Sequence, residues 1–132
     1  MIKISLITIC YNAESTLLPT LESVARQTYP HIEYIVVDGA SRDNSLDLVR
    51  SICPEALITS EPDRGLYDAM NKGICRATGD YICVYDADAM PEKNALYFLV
   101  KEVLKDPERH VASFGRNKTR NAEQNFLTRC IN

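Results

Sequence analysis

The sequence has no long hydrophobic run. Its longest apolar stretch, Ile4–Cys10, is interrupted by Ser5 and Thr8 and is far shorter than the ~20 residues of a membrane-spanning helix. No small-residue cleavage site follows it, so we expect neither a membrane span nor a secretory signal. The five cysteines are odd in number, scattered and free of CxxC spacing, which is typical of a reduced, cytoplasmic chain.

Several common site motifs are also missing. No GxGxxG follows the first strand-like segment and no GxxxxGK[ST] occurs, which excludes dinucleotide-binding and P-loop sites built on those motifs. The same segment lacks the acidic residues that a phosphoryl-receiver domain would carry there. His31 and His110 have no partner at ligand-like spacing, so we expect no histidine metal site.

The composition predicts one globular domain, with charge unevenly placed along the chain. Of the 132 residues, 45% are hydrophobic and 25% charged, which suits a soluble fold that needs no disulfide or structural metal. The net charge is −3, yet residues 109–132 carry five of the fifteen basic residues and one of the eighteen acidic ones. This basic tail is a candidate for peripheral membrane contact. We expect no nucleic-acid partner, because such domains are basic with interleaved aromatics.

Strand-like and helical patterns alternate four times. The strand-like segments are residues 4–9, 33–37, 56–59 and 81–85, with residues 111–114 as a candidate fifth. Residues 4–9 are almost continuously apolar, as in a parallel sheet that is covered on both faces. The alternation predicts an α/β fold of right-handed βαβ units with a mostly parallel sheet.

Residue types at the segment boundaries predict the helix ends. Ser15 or Thr16 is expected to cap the first helix, and Ser41 is expected to cap the second. Gly79 is expected to close the third helix, since glycine favours a helix C-terminus. Pro91 is expected to open the fourth helix, because proline is tolerated in the first turn.

Polar residues follow three of the strand-like segments. Tyr11 and Asn12 follow the first, Asp38 follows the second, and Asp86 and Asp88 follow the fourth. In open α/β sheets, ligands bind beyond the carboxyl ends of the strands, where the strand order reverses. The sequence therefore predicts a ligand site at this edge of the sheet.

The segment Asp86-Ala87-Asp88 is open to two interpretations. An extended backbone would point both carboxylates to one side, where they repel each other unless a cation or a basic group is near. Mg²⁺ or Mn²⁺, completed by substrate phosphate oxygens, would fit such a pair. The alternative is a solvated acidic turn before the helix that follows.

Three single residues are also open to two interpretations each. Asp38 could accept a hydrogen bond from a ribose hydroxyl or a base N–H, or could bond to its own turn. Tyr11 could stack on a nucleobase or pack against the protein. Arg64 could pair with a phosphate or remain a solvated charge.

Taken together, five segments resemble a known family. They are residues 4–12 (ISLITICYN), 35–43 (IVVDGASRD), 61–73 (EPDRGLYDAMNKG), 77–82 (ATGDYI) and 86–88 (DAD). Their order and spacing resemble the inverting glycosyltransferases of family 2, in the bacterial colanic-acid and capsule-type branch. The resemblance implies a GT-A fold, a Rossmann-like three-layer α/β/α architecture.

The resemblance also implies a donor site for a nucleoside-diphosphate sugar, with UDP as the expected nucleotide. The residues that it implies on the donor side are Thr8, Tyr11, Asp38 and Arg64 at the nucleotide, Asp86 and Ala87 toward the ribose, and Asp68 and Asn71 bordering the pocket. It implies that Asp88 holds Mn²⁺ or Mg²⁺ against the donor diphosphate. Ala89 stands where many relatives have a further acid, so the metal would depend on Asp88.

The implied reaction is an in-line displacement at the anomeric carbon, with a glycan or lipid-linked acceptor and cell-surface polysaccharide as the product class. Residues 1–108 would form the donor-binding part, and residues 109–132 a basic strand or tail that begins an incomplete acceptor half. The resemblance implies a general base farther along than this chain extends, so the catalytic base stays unknown. The alternative function is a truncated, catalytically silent nucleotide-binding or interaction module, and a second copy of the chain is a candidate cover for the sheet edge.

Overall fold

The computed structural model describes residues 1–106, 108, 112–116 and 127–131. In this part of the chain, strands and helices alternate through the first hundred residues. The strands are β1 (Ile4–Cys10), β2 (Ile32–Asp38), β3 (Leu57–Ser60), β4 (Tyr81–Asp86), β5 (Ala112–Arg116) and β6 (Leu127–Ile131). The helices are α1 (Glu14–Ala25), α2 (Ser45–Ile52), α3 (Leu66–Arg76) and α4 (Ala95–Lys105).

The strands form one sheet in the order β3-β2-β1-β4-β6-β5. The first four strands are parallel, which confirms the predicted mostly parallel sheet, while β6 is antiparallel to both β4 and β5. The predicted strand at residues 111–114 coincides with β5, although residue 111 lies outside the described residues. Strand β6 was not predicted from the sequence. It lies between β4 and β5, so β5 and β6 extend the same sheet.

Helices cover both faces of the sheet. On one face, α1, α2 and α4 bury Leu21, Val49 and Leu96 in a common core. On the other face, Ala69 of α3 packs with Ile7 of β1 in a smaller core. The predicted three-layer α/β/α architecture is thereby confirmed. None of the helices in the described part of the chain is long and apolar enough to cross a membrane.

The predicted caps of α1 and α2 are wrong, because these helix N-termini are held by the neighbouring loop. Helix α1 starts at Glu14 without a side-chain cap from its own first turn. Instead, Asp43 Oδ2 accepts the Glu14 N–H (3.1 Å) and Ser45 Oγ accepts the Ala13 N–H (2.9 Å). Helix α2 starts at Ser45, four residues after Ser41, and Asp43 Oδ1 accepts the Ser45 N–H.

The predicted ends of α3 and α4 also need correction. Helix α3 stops at Arg76, because Ala77 is already extended. Gly79 instead lies against β1, where a Cβ would come within 2.7 Å of the Ser5 backbone nitrogen. Helix α4 begins at Ala95, four residues beyond Pro91. Gly79 is therefore explained by close packing against the sheet.

Gly73→Ala should destabilise the protein, because α3 packs so closely on the sheet at Gly73 that there is no room for a side chain. A Cβ at Gly73 would lie 2.7 Å from Ile7 Cγ2 and 3.2 Å from Val37 Cγ2. Overpacking of a core costs ~1–3 kcal/mol, against a gain of about 1 kcal/mol for alanine in a helix. Urea denaturation should show a net loss of about 1 kcal/mol in the free energy of unfolding. The exposed Cys75→Ala on the same helix is the control, and a more stable Gly73→Ala would contradict this packing argument.

Candidate functional site

The carboxyl ends of the central strands are level with each other. Cys10 pairs with Asp38, Asp38 with Ser60, and Ile9 with Asp86. Successive strands step from β1 through β2 to β3, and the chain then crosses to β4 on the other side of β1. The strand order thus reverses between β1 and β4, where a ligand crevice is expected outside the strand ends.

Asp86, Ala87 and Asp88 lie at this edge of the sheet, where β4 ends and a turn begins. The strand ends at Asp86, and the Ala89 N–H donates to the Asp86 carbonyl (3.0 Å). The argument that an extended backbone aligns the two carboxylates is therefore wrong, since the chain turns between them. Both carboxylates are nevertheless exposed. The buried Thr20 of α1 donates to the Ala87 carbonyl (3.0 Å), which anchors the turn to the helix layer.

The donor atoms of Asp86 and Asp88 fit a hard divalent cation. Mg²⁺ and Mn²⁺ prefer oxygen ligands, and Mg²⁺ is commonly held by one or two carboxylates together with substrate phosphates. Among the described residues, no group of three or more His, Cys, Asp or Glu side chains is placed to hold a metal. A cation at this turn would therefore take its remaining ligands from the donor or from water.

Asp38 is fully buried at the end of β2. Its Oδ2 accepts the Ser41 N–H (2.9 Å) and the Ser60 hydroxyl (2.8 Å), and its Oδ1 accepts the Ser41 hydroxyl and the Cys10 thiol (3.4 Å). Burial raises the pKa of Asp38, but these hydrogen bonds outweigh it and hold the pKa below its usual value. Four bonds occupy the usual lone-pair positions of a carboxylate. The structure gives Asp38 the role of organising the loops around it.

The loops after β1 and β2 form one hydrogen-bonded unit. The Asn12 N–H donates to Ser41 Oγ (2.8 Å), and Asn12 Oδ1 accepts the Arg42 N–H (2.9 Å). Asn12 and Ala40 both have positive φ, 45° and 63°, a conformation that costs ~1–2 kcal/mol for residues other than glycine. The surrounding hydrogen bonds hold these strained turns in place, so the two loops at this edge of the sheet support each other.

Thr8 and Tyr11, both predicted at the nucleotide, lie in different environments. Thr8 is fully buried, and its hydroxyl oxygen accepts a hydrogen bond from Tyr34 (3.0 Å). The structure therefore places Thr8 in the core, out of reach of a ligand at the surface. Tyr11 is 65% exposed beside the crevice, so its ring is available for stacking.

The loop that follows β3 brings a further acid to this edge. A Cβ built at Gly39 would lie 2.7 Å from Asp63 Oδ2 and 3.4 Å from Tyr11 Cδ2. Both groups therefore border the same point above the β2 terminus, and the absence of a side chain at Gly39 allows it. Sequence reasoning missed Asp63, because only the folded loop brings it over Gly39.

The rest of that loop is held by two residues of α3. Asp68 accepts the Arg64 N–H (2.9 Å), which holds the pKa of Asp68 below its usual value. Lys72 donates to the Pro62 carbonyl (2.9 Å) and pairs with Glu61 (3.1 Å). Burial lowers the pKa of Lys72, but Glu61 and Asp68 outweigh it and raise the pKa. Asp68 is thus placed to shape the loop.

Arg64 and Asn71, the remaining predicted donor contacts, are both exposed, Arg64 in the loop before α3 and Asn71 in the middle of that helix. Gly65, between the Arg64 loop and the helix, has a φ of +113°, a conformation that favours glycine. Arg64 lies at the same edge of the sheet as Tyr11, because its loop follows the carboxyl end of β3, which runs parallel to β2 and β1. The structure thus brings Tyr11, Arg64, Asp86 and Asp88 to one edge of the sheet.

A three-layer α/β/α fold with carboxylates where the strand order reverses is typical of a Rossmann-like α/β protein that binds its ligand at this edge of the sheet. A family model described as glycosyl transferase family 2 matches residues 5–131. The chain is 36% identical over 139 aligned positions to the probable glycosyltransferase YdaM of Bacillus subtilis, covering 98% of this chain and 33% of that protein. The chain therefore belongs to glycosyltransferase family 2.

Other similarities agree with this family. A poly-β-1,6-N-acetyl-D-glucosamine synthase of Staphylococcus epidermidis is 30% identical over 108 residues, covering 80% of this chain and 26% of that protein. The mannosyltransferase PcManGT of Pyrobaculum calidifontis, solved with GDP-Man and Mn²⁺, superposes with a TM-score of 0.72 at 30% identity, over 77% of this chain and 32% of that one.

A second solved structure supports the fold alone. Staphylococcus aureus TarS 1-349, solved with UDP-GlcNAc, superposes with a TM-score of 0.78 at 22% identity, over 92% of this chain and 37% of that one. These likenesses confirm the GT-A fold that the sequence predicted. The chain spans about a third of the length of the relatives that it matches.

Proposed function

We propose that this chain is the donor-binding part of an enzyme that transfers a sugar from a nucleoside-diphosphate sugar, with UDP as the nucleotide. The observation that carries the proposal is that Asp86 and Asp88 lie at the carboxyl end of β4, next to the end of β1 that leads to the exposed Tyr11, where the strand order reverses. The family match and the donors named for PcManGT and TarS support a nucleotide sugar as the ligand class.

In this proposal, the residues at the edge divide the donor between them. Tyr11 stacks on the base, Asp86 lies toward the ribose, and Arg64 pairs with a phosphate. Asp88 holds Mn²⁺ or Mg²⁺, which would neutralise charge on the diphosphate leaving group when bound. The hydrogen-bonded loops after β1 and β2 keep the edge in place without rearrangement, as positioning of a reacting donor requires.

The acceptor and the chemistry of transfer belong to the proposal as well. We place a glycan or lipid-linked acceptor on the open side of the crevice, with inversion at the anomeric carbon and cell-surface polysaccharide as product. A poly-β-1,6-N-acetyl-D-glucosamine synthase among the relatives supports this product class. We also propose a cytoplasmic location, which the scattered cysteines without CxxC spacing support, since free thiols suit a reducing compartment.

None of the residues that the structure describes is assigned as the general base for the acceptor hydroxyl. Of the acids after Asp88, Glu102 pairs with Lys105 on the exposed side of α4 (2.6 Å), and Glu123 lies outside the described residues. We propose that the base acts from the two-thirds of the relatives' length that this chain does not span. A catalytically silent nucleotide-binding module is the second candidate, favoured by the lack of an assigned base.

Incubation of the chain with UDP-glucose or UDP-N-acetylglucosamine and Mn²⁺ separates these candidates. Donor binding is read by saturation-transfer NMR, and release of UDP is read in the same sample over hours. Binding with slow release of UDP supports the transferase, because the donor is then activated toward water. Binding without release supports the silent module. Failure to bind either UDP-sugar contradicts both.

A further inference from the structure

Asp63 is a carboxylate at the donor edge with one oxygen uncommitted. Its Oδ1 accepts the Gly65 N–H (2.9 Å), which fixes the side chain within its loop. Within residues 1–106, Oδ2 makes no hydrogen bond. This oxygen lies directly over Gly39, at the point that the Tyr11 ring also borders. An acceptor atom is thus held beside an exposed aromatic face.

Asp38 lies close by at the end of β2 but cannot offer a comparable oxygen. It is fully buried, and four protein hydrogen bonds already use its two oxygens. A nucleotide donor group would have to displace Ser41, Ser60 or Cys10 from it, leaving a buried donor without a partner. Such a loss costs about 1–3 kcal/mol, so of these two carboxylates Asp63 is the accessible acceptor.

Asp38 instead holds the segment that carries Asp63. The Ser60 hydroxyl bonds to the Asp38 carboxylate (2.8 Å), and the Glu61 N–H donates to the Asp38 carbonyl (3.1 Å). These two bonds fix the start of the loop at the end of β2. Asp38 is therefore a positioning residue, and Asp63 is the residue that it helps to place.

We propose that Asp63, rather than Asp38, accepts a hydrogen bond from the base of the donor nucleotide and selects its chemical class. An ionised carboxylate only accepts hydrogen bonds. It therefore suits uracil and guanine, which carry a ring N–H on their pairing edge, and disfavours cytosine and adenine, which carry a ring nitrogen acceptor there. The inference rests on the proposed function, since it assumes that a nucleotide lies on Tyr11.

Asp63→Asn tests the inference through nucleotide preference. The substitution keeps the shape of the side chain but adds an N–H₂ donor, which can serve the ring acceptor of cytosine. Dissociation constants for UDP and CDP are measured by calorimetry with Mn²⁺ present. Hydrogen bonds to charged groups are worth ~1.5–3 kcal/mol, so the wild-type preference for UDP over CDP should be about tenfold or more and should fall close to one in the variant.

Two further variants complete the design. Gly39→Ala keeps the charge but forces Asp63 Oδ2 away from its position, so it should also reduce the preference for UDP. Asp47→Asn removes a charge from the exposed surface of α2, where Asp47 pairs with Arg50, and should leave the preference unchanged. A purely structural role of Asp63 would weaken UDP and CDP binding equally.

The outcomes separate this inference from the proposed function. If the wild-type chain binds UDP and Asp63→Asn retains the preference for UDP over CDP, the inference about Asp63 is overturned while the donor site stands. If Asp63→Asn loses the preference for UDP over CDP while the control keeps it, the assignment of Asp63 holds. If the wild-type chain binds no nucleotide, the proposed function itself fails.

Discussion

Asp88→Ala should abolish the Mn²⁺-dependent part of UDP binding while leaving the fold intact. The residue is exposed in the turn after β4, outside the hydrophobic core, so its removal should change the free energy of unfolding by less than about 0.5 kcal/mol. Loss of residues that merely support a metal ligand costs ~10–100-fold in affinity. Loss of the ligand itself should therefore weaken UDP binding in Mn²⁺ by about 100-fold.

The measurement is a UDP titration of the variant with and without Mn²⁺, together with a thermal melt. Asp47→Ala is the matched control, since Asp47 is an exposed acid on α2 that pairs with Arg50 at the surface (3.7 Å). The control should bind UDP as the wild type does. An Asp88→Ala variant whose affinity in Mn²⁺ equals that of the wild type would refute the metal assignment.

Asp38→Ala is expected to have the largest effect on stability. It removes a buried carboxylate that accepts bonds from Ser41, Ser60 and Cys10 and leaves those donors without partners. Leaving a buried donor without a partner costs about 1–3 kcal/mol, and because several donors are affected we expect a loss of about 3 kcal/mol by urea denaturation. A loss no larger than that of the exposed Asp47→Ala would show that the network does not hold the loops.

The same carboxylate predicts a dependence of stability on pH. The pKa of Asp38 is lower in the folded protein than its usual value, so its contribution is present above about pH 4, where the unfolded chain is also ionised. The contribution is lost as the pH falls through the lower folded pKa. Burial raises the pKa of the Cys10 thiol to about 12, so Cys10 remains a protonated donor to Asp38 across this range.

The alternation of apolar and amphipathic segments predicted β1 to β4 and the helices between them, because both patterns are local. Helix starts were predicted less well. The N-terminus of α1 is bonded by Asp43 and Ser45 from another loop, and no pattern within α1 reveals partners thirty residues away. Strand β6 was missed for a related reason, since it pairs with β4 and β5 only after the chain folds back.

Part of the candidate site could also be predicted from the sequence. The Asp86-Ala87-Asp88 segment, Tyr11 and Arg64 could be placed at one edge of the sheet, because each follows a strand of a parallel sheet. The sequence could not show that Thr8 and Asp38 are buried. Thr8 accepts a hydrogen bond from Tyr34 in the core, and Asp38 is surrounded by hydrogen-bond donors. Asp63 could not be found from spacing, since its position depends on a close approach over Gly39.

The most direct test of the account is a calorimetric titration of UDP into the purified wild-type chain, with and without Mn²⁺. We expect saturable binding in Mn²⁺ and about 100-fold weaker binding without it, because Asp88 would hold the cation that neutralises charge on the diphosphate. The same titration with GDP covers the second base that carries a ring N–H. Absence of binding by both nucleotides in either condition would contradict the claim that this edge of the sheet is a donor site.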